Sequence, residues 1–326
     1  MASTTAAQGA NPGLSQLMNT FYDKVFLERA KVELRHDFGA QVKNQMLNMG
    51  KVVRFTRFTP LAIVTTALSE AVNPTAVDMT ATNVDATLAE YGNYTTVGSL
   101  FAMTSIDEDL KEHVSVHGQN AGESIDQIIR AELTAGALSQ IPAGVTAVST
   151  ISAIHTTDIL TGLEIRRAVR TLKKNKAQKF PGGLFRGIIG PDTAMDLMGN
   201  SEWLDAHRYT TSDAIERGIV GKLHGVEFVE TNNQHFALTG GFSTSATNVA
   251  NVYSNFIMGQ NAYGIVNLGS TTGARVYVKT PGANSTDNPI DMFSTVGWKQ
   301  PFAVKTLNAN WLINIRTGAT DGYSAG

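Results

Sequence analysis

The stretch that most constrains the fold of this chain runs from Ser105 to Gln140. Ser105-Ile-Asp-Glu108 has the form of a capping box: the serine side chain accepts from a free backbone amide, and the glutamate reaches back to satisfy another. Ile106, Leu110, Val114, Ala121, Ile125 and Ile128 follow at near-helical spacing. Unbroken to Gln140, such a helix would be about 54 Å long, more a girder than an ordinary globular element. Gly118 and Gly122 lie inside it at a cost of about 1 kcal/mol each relative to alanine, so a bend or hinge is expected there.

A second stretch is equally unlike a compact domain. Lys51-Val-Val-Arg-Phe-Thr-Arg-Phe58 alternates as a strand does, and Pro60 closes it. From Leu61 to Glu90 the chain is rich in Ala, Thr and Val, is interrupted by Pro74, and carries only Glu70, Asp78, Asp85 and Glu90 as charges. Threonine and valine favour extended chain. The expected element is a long two-stranded arm, with Ala86 to Val97 as its returning strand. A protruding hairpin cannot bury both faces within its own subunit and is marginal alone in water. Its partner surface is therefore expected on another subunit.

The remainder alternates helix and strand signals. The first twenty residues are small and polar and read as a flexible arm. Phe21 to Met49 has a helical pattern, with Phe21, Val25, Leu34, Phe38 and Val42 among its apolar positions. Thr161-Gly-Leu-Glu164 is a second capping box, opening a helix with Ile165, Ala168, Val169 and Leu172 on one face and Arg166, Arg167, Arg170, Lys173 and Lys174 on the other. Strands are expected at Leu184–Ile189, Val226–Val229, Phe256–Met258, Arg275–Lys279 and Trp311–Ile315, and a short helix from Pro191 to Met198. There is no internal repeat, and the class is α+β. At 326 residues the chain exceeds one compact core of roughly 100–200 residues, so it holds two subdomains or one extended, elaborated domain.

Chemistry is sparse. The absence of cysteine removes disulfides, thiolate zinc sites and cysteine nucleophiles, and suits assembly in a reducing cytosol. His113 and His117 stand four apart on the long helix, but no third ligand follows at motif spacing, and His-Val-Ser-Val-His lacks the glutamate of a metalloprotease helix. Gly218-Ile-Val-Gly-Lys222 lacks the spacing and the hydroxyl residue of a phosphate-binding loop. No nucleophile elbow is present. No catalytic, cofactor-binding or metal-binding residue is therefore assigned. Met1 to Gln16 has neither the charge nor the apolar core of a signal peptide, and no apolar run reaches the roughly 18 residues of a membrane span. Without a secretory route, the sequons at Asn93 and Asn284 are coincidence.

Formal net charge is −2 with a pI near 6.4, which gives no sign of a protein that condenses nucleic acid. The one strong electrostatic feature is the basic run Arg166, Arg167, Arg170, Lys173, Lys174, Lys176, Lys179 and Arg186, with Glu164 its only acid. A nucleic-acid face is one reading. A solvated or inter-subunit face is favoured, because cations late in a helix complement its dipole and no aromatics are interleaved. The acidic excursion is the natural counterpart of this face. Arg54, Arg57, Glu70, Asp78, Asp85, Arg166, Arg167, Arg170, Lys173 and Lys174 are the candidate inter-subunit contacts.

With these residues in view, the sequence resembles the major capsid proteins of tailed bacteriophages, in the family typified by the phage N4 capsid protein, which have the Hong Kong 97-like shell fold. The resemblance spans about Val42 to Arg316. Phe55-Thr-Arg-Phe58 with Pro60-Leu61 is similar to the family's first arm strand, Leu68-Ser-Glu-Ala-Val-Asn-Pro74 to its arm turn, and Glu90-Tyr91-Gly92 to its returning strand. Leu163 to Lys174 and Ile188-Ile-Gly-Pro-Asp192 are similar to a helix and a strand-to-helix step. The most specific markers are Gly225-Val-Glu-Phe-Val-Glu-Thr231, Gly259-Gln-Asn-Ala-Tyr-Gly264 and Thr295-Val-Gly-Trp-Lys299. Ala71 departs from the family's glycine in the arm turn, so its backbone geometry there is expected to differ.

The resemblance implies residues 1–50 as N-terminal arm and leading helix, 51–97 as extended loop, 98–180 as peripheral domain with the long spine helix, 181–285 as axial domain, and 286–326 as the return to the peripheral domain. It implies a structural, non-enzymatic subunit that forms hexamers and pentamers around double-stranded DNA, assembles in the bacterial cytoplasm and ends in the virion. Scaffolding, portal and decoration proteins would be its partners; it would need no cofactor and touch no membrane. A nanocompartment shell protein and a soluble enzyme are the rival readings. No lysine occurs between Val52 and Leu110, so the isopeptide locks of some shells of this fold are not expected.

Overall fold

The computed structural model describes residues 12–46, 48–68, 70, 73–100, 109–143, 154, 157–208, 221–238, 251–268, 275–279 and 292–320. Its elements in chain order begin with α1 (Pro12–Glu33), β1 (Gln41–Gln45), β2 (Val52–Phe58), β3 (Ala81–Thr87), β4 (Ala89–Gly98) and α2 (Asp109–Gly136). There follow β5 (Leu138–Gln140), α3 (Gly162–Lys174), β6 (Phe185–Ile189), α4 (Pro191–Met198), α5 (Ser201–Arg208), β7 (Lys222–Leu223) and β8 (Val226–Glu230). The last are β9 (Phe236–Leu238), β10 (Asn251–Met258), β11 (Tyr263–Leu268), β12 (Arg275–Lys279), β13 (Phe293–Thr306) and β14 (Leu312–Thr317). The strands form two mixed sheets and one hairpin. The first sheet has the order β1-β11-β13-β12, with β4 also on β13; the second runs β5-β14-β10-β6-β8-β7, with β9 on β10; among the described residues β2 and β3 pair only with each other. The α+β class expected from the sequence is what is observed.

The long helix exists as α2, 28 residues or about 42 Å; the capping box at Ser105–Glu108 lies outside the described residues. Its end differs from the expectation. Leu138 to Gln140 leave the helix and pair in parallel with Ile313–Ile315, which satisfies backbone groups at the edge of the second sheet. Gly118 and Gly122 do not interrupt α2. A Cβ on Gly118 would lie 2.7 Å from the Phe26 carbonyl oxygen, and one on Gly122 2.5 Å from that of Ala30. These glycines mark where α1 crosses α2 at backbone contact, not a bend.

That crossing explains a second difference. α1 begins at Pro12, inside the segment expected to be a flexible arm, and ends at Glu33 rather than near Met49. Proline suits a first helical turn, where its missing amide costs nothing, and docking on α2 buries Phe26 against Val114, Ala121, Val296 and Trp298. Local propensity is weak, and tertiary burial supplies the stability. Val42 lies on β1, which pairs in parallel with β11.

α3 matches the sequence reading closely. Ile165, Ala168, Val169 and Leu172 are buried with Ile189, Val226, Ile257 and Ile313, each larger side chain contributing about 2 kcal/mol of apolar burial. Its capping box, however, is not formed, since the Thr161 side chain makes no cap bond. Glu164 instead is buried and accepts from the Ala143 amide, the Gln140 amide group and Arg167. The marker Gly259–Gly264 carries the chain from β10 in one sheet to β11 in the other. β13, only partly suggested by Thr295–Lys299, is a 14-residue strand on which three others pair.

Candidate assembly surface

The hairpin leaves the body along a clear boundary. On β2, Val53 and Phe55 alternate with exposed residues and pack with Ala86, Leu88, Val266 and Ala303. Beyond Thr56 every described residue out to Asn83 is exposed. The returning strand is split: β3 belongs to the hairpin, Leu88 is buried at the break, and β4 joins the first sheet along Phe293–Phe302 of β13. What protrudes is apolar. Ile63 is 80 % and Val64 79 % exposed, and Phe58, Leu61, Leu68, Val77 and Met79 are exposed beside them. Exposed apolar side chains in this number make the hairpin end a candidate interaction surface.

The charges expected at contacts sort into two groups. Arg54 donates to both carboxylate oxygens of Asp85 at 2.7 and 2.9 Å; that bond holds Asp85 below the usual carboxylate range and raises Arg54. Arg166 lies 3.0 Å from Glu202, and Arg167 2.7 Å from Glu164. These four are thus engaged within the subunit. Arg57, Glu70, Asp78, Arg170, Lys173 and Lys174 are exposed, and none has an ion-pair partner among the described residues.

The body behind the hairpin is held by buried polar groups that the sequence did not announce. His36 Nδ1 is 2.7 Å from Asp126 Oδ2, while Asp126 Oδ1 accepts from the amides of Arg35 and His36. Burial alone would push the Asp126 carboxyl up, but the hydrogen bonds and charge of His36 hold it below its ordinary value. The Tyr263 hydroxyl donates to the His36 carbonyl and accepts from the Gly39 amide. Arg186 is sandwiched between the rings of Phe38 and Phe180, 4.3 Å from each centroid, and donates to the Phe38 carbonyl. The turn between α1 and β1 is thereby fastened to the girder helix and to both sheets.

His113 and His117 both face the Thr95 hydroxyl, at 3.5 and 2.9 Å. His117 is buried, and burial followed by the charge of His113 pushes it below its usual value. Among the described residues no three metal-capable side chains gather, and no helix is long and apolar enough to cross a membrane.

Solved structures share this fold. The capsid of Ralstonia phage GP4 is 12 % identical over 90 % of this chain and 93 % of that chain, with a TM-score of 0.66. The capsid of cyanophage Pam1 is 14 % identical over 91 % and 93 %, with a TM-score of 0.63. The acid-stable capsid of Helicobacter pylori bacteriophage KHP30 is 12 % identical over 85 % and 88 %, with a TM-score of 0.59. The chain therefore has the Hong Kong 97-like capsid fold, as its motifs suggested. No protein-family model and no curated protein sequence matches it.

One feature of the surface escaped sequence reading. Tyr94 and Tyr277 flank Gly297 on neighbouring strands. A glycine inside a strand pattern can signal close backbone approach, but its neighbours across the sheet are not legible from one chain.

Proposed function

We propose that this chain is the major structural subunit of a tailed-phage icosahedral capsid, assembling with itself into hexamers and pentamers that enclose double-stranded DNA. The observation that carries the reading is the apolar hairpin end on a capsid fold: every described residue between 58 and 80 is exposed, uncovered by any other described residue of its own subunit. Exposing Ile63, Val64, Leu68, Val77 and Met79 in a free monomer invites aggregation, whereas docking on another copy removes them from water. Many such weak contacts, repeated around a closed shell, add to a strong one.

The rest of the reading follows from the sequence motifs. The subunit belongs with the N4-type major capsid proteins, is not an enzyme, and works with scaffolding, portal and decoration proteins. It assembles in the host cytoplasm and is carried in the virion. Residues 1–50 serve as arm and leading helix, 51–97 as the extended loop, 98–180 and 286–326 as the peripheral domain, and 181–285 as the axial domain. Arg57, Glu70, Asp78, Arg170, Lys173 and Lys174 remain as inter-subunit contacts; Arg54, Asp85, Arg166 and Arg167 act there only beyond their internal pairs.

Electron microscopy of the purified protein, with and without a scaffolding protein, tests the proposal. Closed icosahedral particles are the expected result. A stable small oligomer under every assembly condition would overturn it.

A further inference from the structure

We propose that Arg130, His235 and Arg316 form a binding site for one phosphate-class oxyanion, set between α2 and the second sheet in the body of the subunit. Register and hydrogen bonds bring the three together from distant parts of the chain. On β14, Arg316 stands opposite Ser254 of β10, and residues directly opposite on paired strands share a face. Asn314, two residues before Arg316 and so on the same face, donates through Nδ2 to Ser254 Oγ at 3.3 Å. His235 Nδ1 reaches that same oxygen at 3.2 Å. This is the face on which α2 packs, since Phe256, two residues beyond Ser254, is buried with Ile125, Ile129 and Leu133. Arg130 of α2 completes the group: its Nη1 donates to the Gln234 carbonyl, next to His235, at 3.2 Å.

Positive charge is in excess here. Arg316 is half-buried and has neither a hydrogen bond nor an ion pair from its side chain among the described residues. Arg130 directs one nitrogen at uncharged oxygens of Asn233 and Gln234. The acid that acts on it, Asp126, is already taken by His36, the Arg35 amide and Asn233. Residues 239–250, which follow β9 in the chain, contain no acid. Burial, then the charges of Arg130 and Arg316, push the His235 imidazole below its usual value, so both arginines act on this ring. Partly buried cations without a counter-charge favour a bound anion.

The donors suit a tetrahedral anion. Guanidinium groups grip phosphate and carboxylate oxygens through paired N–H donors, and here two of them come from different elements. Because Asn314 donates to Ser254 Oγ, the hydroxyl hydrogen is left to donate to His235 Nδ1. That places the ring proton on Nε2, as a further donor. Donors carried by α2, by the turn between β8 and β9 and by β14 can each take a different oxygen of a phosphate, whereas a planar carboxylate has only two to offer.

Titration of the unassembled full chain with inorganic phosphate at constant ionic strength tests this, followed by calorimetry and by the His235 imidazole signal in NMR spectra. One saturable site is expected, and bound phosphate should raise the His235 titration midpoint by offsetting the two arginines. Arg316→Gln should weaken binding by about tenfold or more, and its lack of an internal partner should leave the variant folded. Arg170→Gln, which removes an exposed cation of α3, should bind like the parent. The site is overturned by the absence of saturable binding, by an Arg316→Gln variant that binds like the parent, by an equal loss in Arg170→Gln, or by a His235 midpoint that phosphate leaves unmoved. Acetate that binds as tightly as phosphate would overturn the tetrahedral assignment. A short DNA duplex separates the sources: if it displaces the bound phosphate the ligand is a nucleic-acid backbone, and if not it is free phosphate, and both outcomes uphold the site. The site needs no second copy, so its loss would leave the assembly reading standing.

Discussion

His36 Nδ1 lies 2.7 Å from Asp126 Oδ2, with both side chains essentially removed from water. Asn233 Nδ2 also donates to Asp126 Oδ2 at 3.0 Å, and Arg130 holds Asn233 through its side-chain oxygen at 2.7 Å. The turn after α1 is thus keyed into the girder helix by a carboxylate with few alternatives. Removing one partner of a buried pair leaves the other uncompensated, at about 3–5 kcal/mol. His36→Ala should lower the stability of the unassembled subunit by that order in urea unfolding at neutral pH.

The same carboxylate sets an acid limit. Its value is depressed in the folded subunit, so its stabilisation is fully present above the ordinary aspartate range and lost as pH falls through the lowered value. Unfolding midpoints measured down a pH series should drop more steeply at the acid end for the unmodified subunit than for Asp126→Asn, which has no proton to take up there. Parallel curves would exclude Asp126 as the group responsible.

Gly118→Ala and Gly122→Ala oppose two effects. Alanine improves helix propensity by about 1 kcal/mol, but the added Cβ would meet backbone oxygens of α1 at 2.7 and 2.5 Å, and overpacking costs about 1–3 kcal/mol. The clash is with backbone, which cannot swing aside, so both variants should melt lower than the parent. A raised melting temperature would show that α1 yields there.

Arg186 bridges Phe38 and Phe180 through the two faces of one planar guanidinium. Lysine keeps the charge but cannot stack flat on two rings. Arg186→Lys should therefore cost about 1–2 kcal/mol, read as a shifted urea midpoint at unchanged slope.

The hairpin and β4 contain no lysine, and the chain contains no cysteine. Particles boiled in detergent should run as a single band near 34.9 kDa, with or without reductant. A ladder of covalent multimers would contradict a shell held by packing alone.

Much of the architecture was legible because it is periodic. Ile165, Ala168, Val169 and Leu172 announce the buried face of α3, and Val53 and Phe55 the packed base of the hairpin, since burial on one face leaves a repeat of 3.6 or 2 in the residues themselves. The projecting arm was legible for a related reason: a long apolar excursion without charges of both signs has no internal way to cover itself. The ordered markers from Phe55 to Lys299 carried the capsid fold.

Other features waited on the fold because they depend on what lies opposite. Gly118 and Gly122 read as a hinge until α1 was seen to cross there. Gln140 read as helix until β14 offered it a strand, and Glu164 read as a cap until Ala143 and Arg167 took its oxygens. Among the ten candidate contact charges, only tertiary structure separated those already paired, such as Arg54 with Asp85, from those left open. By itself the sequence determined the class, the girder helix and the apolar character of the hairpin end, because periodicity and composition act locally along the chain. The helix crossing, the His36–Asp126 key and the glycine-floored tyrosine face were decided by tertiary structure, because each joins residues far apart in sequence whose proximity no local pattern encodes.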